Sequence, residues 1–250
     1  MTGLSGRVVL VAGGSRGIGA ATSRLLASLG MRVVVNYRSN DADADAVVEA
    51  IRAAGGEAIA MRADARDPHE VDQLVRAVSA RWGTIDVLVN TVLVPFAIKP
   101  FQDMTWEEFG GKLRDEMLVA FTLTKAVVPA MVDQGYGRIV HVATNLARQP
   151  REEMIALGAS KAALVQFARY VAQELGPFGI TVNVVSPGMV DTEVAGTLSP
   201  QVRARTVAAT PLGRIAQPED VAGVVAFYAS DESGFMTGTY APVNGGLTMD

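Results

Sequence analysis

The sequence predicts an α/β fold: one parallel sheet of about seven strands, doubly wound, with helices on both faces. Three observations carry this reading. Short apolar runs alternate with amphipathic stretches from end to end. The runs are rich in Val and Ile and lack polar alternation, as strands do when both faces are covered. Repeated strand–helix units of this kind build a parallel sheet. The 250 residues contain no linker, repeat or low-complexity segment. A single domain over 1–250 is therefore expected, a usual size for an undivided α/β domain.

The elements follow in order. A strand over 7–12 (RVVLVA) leads through a Gly-rich turn into a helix near 17–29. A second strand at 32–36 (RVVVN) precedes a helix near 41–54, and a third at 57–61 precedes one near 68–82. The fourth strand, 85–90 (IDVLVN), is followed by a long helix over 104–131, which Gly110-Gly111 interrupts. Each Gly there costs roughly 1 kcal/mol relative to Ala, so a kink or a close helix contact is expected. The fifth strand, 137–143 (GRIVHVA), leads to a second long helix over 153–176. The sixth, 180–185 (ITVNVV), is followed by the most polar and irregular stretch, about 186–216. It reads as a mobile loop with a short helix, a usual form for a lid. A helix at 217–229 and a strand at 239–243 close the chain.

Composition narrows the chemistry. With no Cys, the chain has no disulfide, no Cys-ligated metal and no thiol nucleophile. Two His, at 69 and 141, leave little for a His-rich metal site, so no metal is expected. The net charge of −4 gives no footprint for nucleic acid. No apolar run nears the length of a membrane span, and the first residues lack a signal-peptide layout. A cytoplasmic protein acting on a small molecule is the expectation.

The turn after the first strand reads Gly13-Gly14-Ser15-Arg16-Gly17-Ile18-Gly19. Glycines there permit a tight turn and close backbone approach to a pyrophosphate. The helix that follows presents free N–H groups and the positive end of its dipole. Placement at the first strand–helix junction makes the cluster far more telling than a lone Gly motif.

With that loop in view, the chain resembles the short-chain dehydrogenase/reductases, most closely their 3-oxoacyl-ACP-reductase-like branch, over nearly its whole length. The family's T-G-x-x-x-G-x-G loop matches Ala12 to Gly19, with Ala12 in place of Thr. The family's Asp after the third strand, which meets the adenine, matches Asp64 in Arg62-Ala63-Asp64-Ala65. Ser186-Pro187-Gly188-Met189-Val190-Asp191-Thr192 matches the segment beside the nicotinamide, with Thr192 as the carboxamide contact. Val243-Asn244-Gly245-Gly246 looks like the family's C-terminus. The resemblance implies a Rossmann-type fold and a dinucleotide held by Gly13, Ser15, Arg16, Gly17, Ile18, Gly19, Arg38, Asp64, Ala65, Asn90, Lys161, Pro187, Gly188, Val190 and Thr192. It also implies a homotetramer or homodimer formed through the two long helices.

Charge selects the cofactor. An acidic residue at the end of the second strand would accept the 2′-hydroxyl of NAD and repel a 2′-phosphate. This chain has Asn36-Tyr37-Arg38-Ser39 there and Arg16 in the loop. Two arginines can make charge-assisted bonds to a phosphate, so NADP(H) is expected, with NAD(H) less favoured.

The resemblance breaks at the chemistry. The family uses a Ser after the fifth strand, Tyr and Lys as Y-x-x-x-K on the next helix, and an Asn on the helix before. Here Thr144 stands at the Ser position, Lys161 keeps the Lys, and Leu157 occupies the Tyr position. The interval from Thr144 to Leu157 is the family's own. Glu116 replaces the Asn, and N-N-A-G becomes Asn90-Thr91-Val92-Leu93, whose bulkier Val92 and Leu93 would crowd a bound cofactor. Leu157 cannot donate a proton, and losing a positioned acid costs about 10²–10⁴-fold. Thr144, Lys161 and Glu116 are the catalytic candidates. Glu116 either pairs with Lys161 as a salt bridge or is a base of raised pKa.

His141 has a side chain of opposite parity to Thr144 and reads as a core histidine more readily than a catalyst. Arg148, Arg151, Glu152 and Glu153 fall where the family lines its substrate pocket, and Arg148 or Arg151 could meet an anionic group. Three functions fit. One is an NADP(H)-dependent oxidoreductase with an atypical site, acting on a carbonyl or enone. Another is a non-redox cyclase, dehydratase or isomerase. The third is a catalytically inactive, cofactor-binding partner of an active paralogue.

Overall fold

The computed structural model describes residues 1–193 and 199–249. Seven strands form one sheet: β1 (Val8–Ala12), β2 (Arg32–Tyr37), β3 (Glu57–Arg62), β4 (Val87–Asn90), β5 (Gly137–Val142), β6 (Ile180–Pro187) and β7 (Tyr240–Val243). Their order is β3-β2-β1-β4-β5-β6-β7, and each neighbouring pair is parallel. The helices are α1 (Gly17–Ser28), α2 (Asp41–Ala53), α3 (Pro68–Trp82), α4 (Trp106–Gln134), α5 (Ile155–Leu175), α6 (Pro200–Ala209) and α7 (Pro218–Ala229). This is the single-domain, doubly wound Rossmann-type architecture.

Why the strands read as continuous apolar runs is visible in β1. Val9 and Val11 pack into one core, while Val8, Leu10 and Ala12 pack into the other. The first core lies under α1, α2 and α7, with Leu26, Val48 and Val225; the second lies under α3, α4 and α5, with Leu74, Leu123 and Val165. Both faces of the sheet are dry, so neither face needed polar residues.

Element ends depart from the sequence reading for local reasons. α4 starts at Trp106 rather than 104. Thr105 caps it, accepting the Glu108 N–H at 3.2 Å, and Glu108 Oε2 accepts the Thr105 N–H at 3.0 Å. It runs past 131 to Gln134 and stops at Gly135, in the left-handed region at φ 67. α5 begins at Ile155 rather than 153, because Glu153 is itself left-handed (φ 65) and lies outside any right-handed helix. The strand expected at 85–90 is shorter: Asp86 lies outside it, and its carboxylate accepts the Val8 N–H at 2.8 Å. β6 is longer than expected, since Pro187 still pairs with Val243 of β7. α4 runs on through Gly110-Gly111. A Cβ on Gly110 would lie 3.2 Å from the Trp106 indole one turn earlier, so the packing served is within the helix. Within 186–216, α6 forms the short helix and Val190 bridges Ala216; residues 194–198 of that expected mobile loop lie outside the described residues.

Candidate active site

A cleft of about 530 Å³ opens at the carboxyl edge of the sheet, over β1 and β4. The strand order reverses between these two strands, and such a switch point leaves a crevice at the strand ends. Into this one cleft come Gly13, Ser15, Arg16, Gly17, Ile18 and Gly19 from the first turn, Arg38 after β2, and Asp64 and Ala65 after β3. Thr144, Leu157 and Lys161 line it from the β5–α5 side, and Pro187, Gly188, Val190 and Thr192 from the end of β6.

The first turn has no room for side chains. Gly13 has φ 75, which favours glycine. A Cβ on Gly19 would stand 2.1 Å from the Gly13 carbonyl oxygen and 2.7 Å from Thr91 Oγ1. Thr91 Oγ1 donates to the Ala12 carbonyl at 2.8 Å and so ties the turn to the end of β4. No side chain caps the N-terminus of α1, so its first-turn N–H groups are left for another acceptor. These features fit the phosphates of a dinucleotide.

At the ribose end, the buried Asn36 amide donates to the Met61 and Ala63 carbonyls at 3.2 and 3.1 Å, fixing the β2–β3 edge. Tyr37, Arg38, Ser39 and Asn40 form the wall beyond it. Arg16 is 60% exposed and lies 3.7 Å from Asp43 and 3.8 Å from Glu193, loose contacts for ion pairs. Asp64 is engaged: Arg66 binds both its oxygens, at 3.0 and 2.6 Å, and reaches Asp115 of α4 at 2.9 Å. The bonds from Arg66 hold the Asp64 carboxyl below its usual value, outweighing its partial burial. Arg66 also lines the cleft and was not singled out from the sequence.

Beneath the cleft lie three charged side chains shielded from water. Lys161 donates to Glu116 Oε1 at 2.8 Å and to the Val142 carbonyl at 2.8 Å. Lys112 donates to Glu116 Oε2 at 2.6 Å and to the Val94 carbonyl at 2.9 Å. The Lys112 and Glu116 side chains are each 1% exposed and that of Lys161 is 6%. Burial alone would raise the Glu116 pKa, but the two ammonium groups, Lys161 foremost, outweigh it and hold it below the usual carboxylate value. The base of raised pKa is thereby overturned, and the salt bridge is what the chain forms. Glu116 does not line the cleft, and its two oxygens are taken up by Lys112 and Lys161. Lys112 escaped the sequence reading; its signal is the i, i+4 spacing to Glu116 on one helix face.

Thr144 lies two residues past β5, its hydroxyl donating to Asn145 Oδ1 at 3.2 Å and accepting the Leu146 N–H at 3.4 Å. No phenol stands between Thr144 and Lys161: Leu157 fills that wall. Tyr240 approaches from behind. Its hydroxyl donates to the Thr144 carbonyl at 3.3 Å and accepts from Ser186 at 2.6 Å, while the Arg148 guanidinium lies 3.9 Å over its ring.

Asn90 departs from its expected place. It is 2% exposed and does not line the cleft; its Oδ1 accepts the Val92 N–H at 3.1 Å, and its amide meets His141 Nδ1 at 3.3 Å. These bonds tie the end of β4 to the turn that follows it and to β5. His141 is fully buried, which lowers its pKa to about 4, and Phe167 packs edge-on against it. It is a neutral core histidine. Val92 and Leu93 do line the cleft, and Leu93 is half exposed. Arg151 and Glu152 are exposed. The Glu153 carbonyl accepts the Lys99 N–H at 3.2 Å, and Lys99 Nζ meets Glu108 at 2.6 Å, joining the two loops that border the cleft. Among the described residues there is no His/Cys/Asp/Glu group able to hold a metal, and no helix long and apolar enough to cross a membrane.

A doubly wound sheet with a glycine turn and a cleft at its switch point defines a dinucleotide-binding oxidoreductase fold. The chain belongs to the short-chain dehydrogenase/reductase superfamily: the family described as Enoyl-(Acyl carrier protein) reductase matches residues 12–248. It is 38% identical over 250 residues to a 3-oxoacyl-[acyl-carrier-protein] reductase of Synechocystis, covering 100% of both chains. It is 40% identical over 250 residues to an uncharacterized oxidoreductase of Methylorubrum extorquens, covering 99% of this chain and 100% of that one. Among solved structures, a short-chain dehydrogenase/reductase double mutant from Serratia marcescens superposes with a TM-score of 0.91 at 34% identity, over 98% of this chain and 99% of that one.

Proposed function

We propose that the protein is an NADP(H)-dependent oxidoreductase of atypical active site, acting on a small carbonyl or enone substrate. The carrying observation is that the dinucleotide cradle and Lys161 share one cleft with Leu157 where the family places its acid. When bound, the cofactor supplies hydride. Gly13 and Ser15 through Gly19 would hold the pyrophosphate, Arg16 and Arg38 the 2′-phosphate, Asp64 and Ala65 the adenine end, and Lys161 the nicotinamide ribose. Pro187, Gly188, Val190 and Thr192 would border the nicotinamide. Thr144 keeps a hydroxyl to hold the substrate oxygen, but its pKa is unsuited to proton transfer. Reduction of an enone tolerates the missing phenol better than ketone reduction, because protonation can occur elsewhere on the substrate. The named activity of the Synechocystis relative makes acyl thioesters the first substrates to try. A homotetramer or homodimer through α4 and α5 accords with the exposed aromatic side chains those helices carry, Phe121 and Tyr170.

The test is a fluorescence titration with NADPH and NADH, followed by absorbance assays with 2-enoyl and 3-oxoacyl thioesters. Tighter binding of NADPH with turnover of the enoyl thioester is expected. An NADPH dissociation constant no lower than that for NADH would sink the cofactor preference. Absence of binding to either would sink the redox reading. Leu157 favours one second reading: binding without turnover of any substrate would make the chain a cofactor-binding partner of an active paralogue.

A further inference from the structure

Glu116 poses an electrostatic problem that the cleft must solve. A carboxylate in contact with Lys161 cancels the charge of the lysine that lines the cleft on its β5–α5 side. A dinucleotide carries several negative phosphate charges, and hydride transfer leaves an electron pair on the substrate oxygen. Both favour a positive charge under the cleft, so a neutral Glu116–Lys161 pair would weaken the site.

We propose that Lys112 is a positioning residue that offsets Glu116, so that Lys161 presents its full charge to the cleft. Three observations support it. Each oxygen of the Glu116 carboxylate meets a different ammonium group, Lys112 at 2.6 Å and Lys161 at 2.8 Å. All three side chains are nearly free of water, so the charges act through a weakly screening medium. Lys112 itself does not line the cleft, and its remaining contacts are the Val94 carbonyl and the face of Phe96. The three charges sum to one net positive charge, as one lysine beside a neutral residue would. Lys112 also ties Val94, on the cleft wall, to the same carboxylate. The other titratable groups near this cluster are Asp115, on α4 itself and held by Arg66, and His141 of β5, neutral at the pH values used below; burial lowers the Lys112 pKa, and contact with Glu116 opposes that.

The proposal rests on the dinucleotide-binding reading, and its test has a second arm independent of it. NADPH affinity and thermal stability are measured from pH 6 to pH 10 for the wild type, Lys112→Met, Glu116→Gln and the double variant. Lys112→Met leaves a neutral pair, and NADPH affinity is expected to fall about tenfold, the effect of one poorly screened charge some 10 Å away. Glu116→Gln leaves two buried ammonium groups together without the carboxylate between them, so one gives up its proton more readily than in the wild type. Its folded form then binds fewer protons than its unfolded form, so its Tm is expected to rise with pH relative to wild type. The double variant restores one lysine beside a neutral side chain. It is expected to recover NADPH affinity to within about threefold of wild type, and to lose the pH-dependent Tm deficit.

A double variant no better than Lys112→Met in NADPH affinity would overturn the proposal, because a packing role for Lys112 cannot be rescued by changing Glu116. A Tm deficit of Glu116→Gln that Lys112→Met fails to repair would overturn it as well. If the wild type binds no NADPH, the functional reading fails on its own. The stability arm then decides the charge offset alone: repair supports it and absence of repair overturns it.

Discussion

Under the proposed function, Leu157 is the residue on which the chemistry turns. Its neighbours Thr144 and Lys161 remain in the cleft, so a phenol placed there would sit in family-like surroundings. Leu157→Tyr is expected to raise NADPH-dependent reduction of a 3-oxoacyl thioester by about 10²-fold or more. An unchanged background in a folded, cofactor-binding variant would mean that the pocket has been rebuilt around Leu157. His141 gives a different residue-scale prediction. Burial lowers its pKa to about 4 from an ordinary 6.5, so the unfolded chain takes up a proton first as the pH falls. The stabilisation is fully present above pH 6.5, is lost between 6.5 and about 4, and amounts to roughly 3 kcal/mol. Urea unfolding at pH 7 and at pH 4 measures it. In His141→Leu that component of the acid sensitivity is expected to vanish, and an equal loss in the variant would assign it to the carboxylates. The positions of Thr144, Leu157 and Lys161 in one cleft were legible in the sequence, because fixed spacings after β5 and along α5 locate them. Arg66 was not, because its reach to Asp115 joins side chains across elements; Lys112 was not, because its i, i+4 spacing to Glu116 does not reveal that both side chains are buried or that its ammonium also meets the Val94 carbonyl.

At the scale of elements, the first turn and the helix it starts form one device. Gly19 is where the turn passes over itself, with the Gly13 carbonyl in the space a Cβ would take. Gly19→Ala is therefore expected to abolish dinucleotide binding, read by the same fluorescence titration, while circular dichroism stays that of a folded α/β protein. Unaltered affinity would mean that the turn is looser than its contacts imply. The strands were legible because both faces of the sheet are covered, leaving unbroken Val and Ile runs such as 8–11. Element ends were less so. The start of α4 is decided by reciprocal bonds between Thr105 and Glu108, and that of α5 by a left-handed Glu153. Apolar periodicity carries neither signal. Gly110-Gly111, read as a kink or a close helix contact, leaves room for Trp106 one turn earlier in the same helix.

For the whole molecule, the strand order sets a division of labour. Seven strands run in one direction, so every loop after a strand gathers at one edge, and the cleft lies there. The two cores lie against the faces of the sheet and reach that edge only at their rims, as at Ala65, Val94 and Val190. Edge residues such as Leu157 can therefore vary with little cost to the fold, and the fold alone does not fix the reaction. The fold as a whole was legible for the same reason. It is written in the cores, whereas the reaction is written in a handful of edge residues. The backbone bond between Lys99 and Glu153 sets one practical rule for anyone redesigning substrate scope. The loop after β4 and the loop before α5 share a seam, so a graft taken from a relative should carry both as a single cassette.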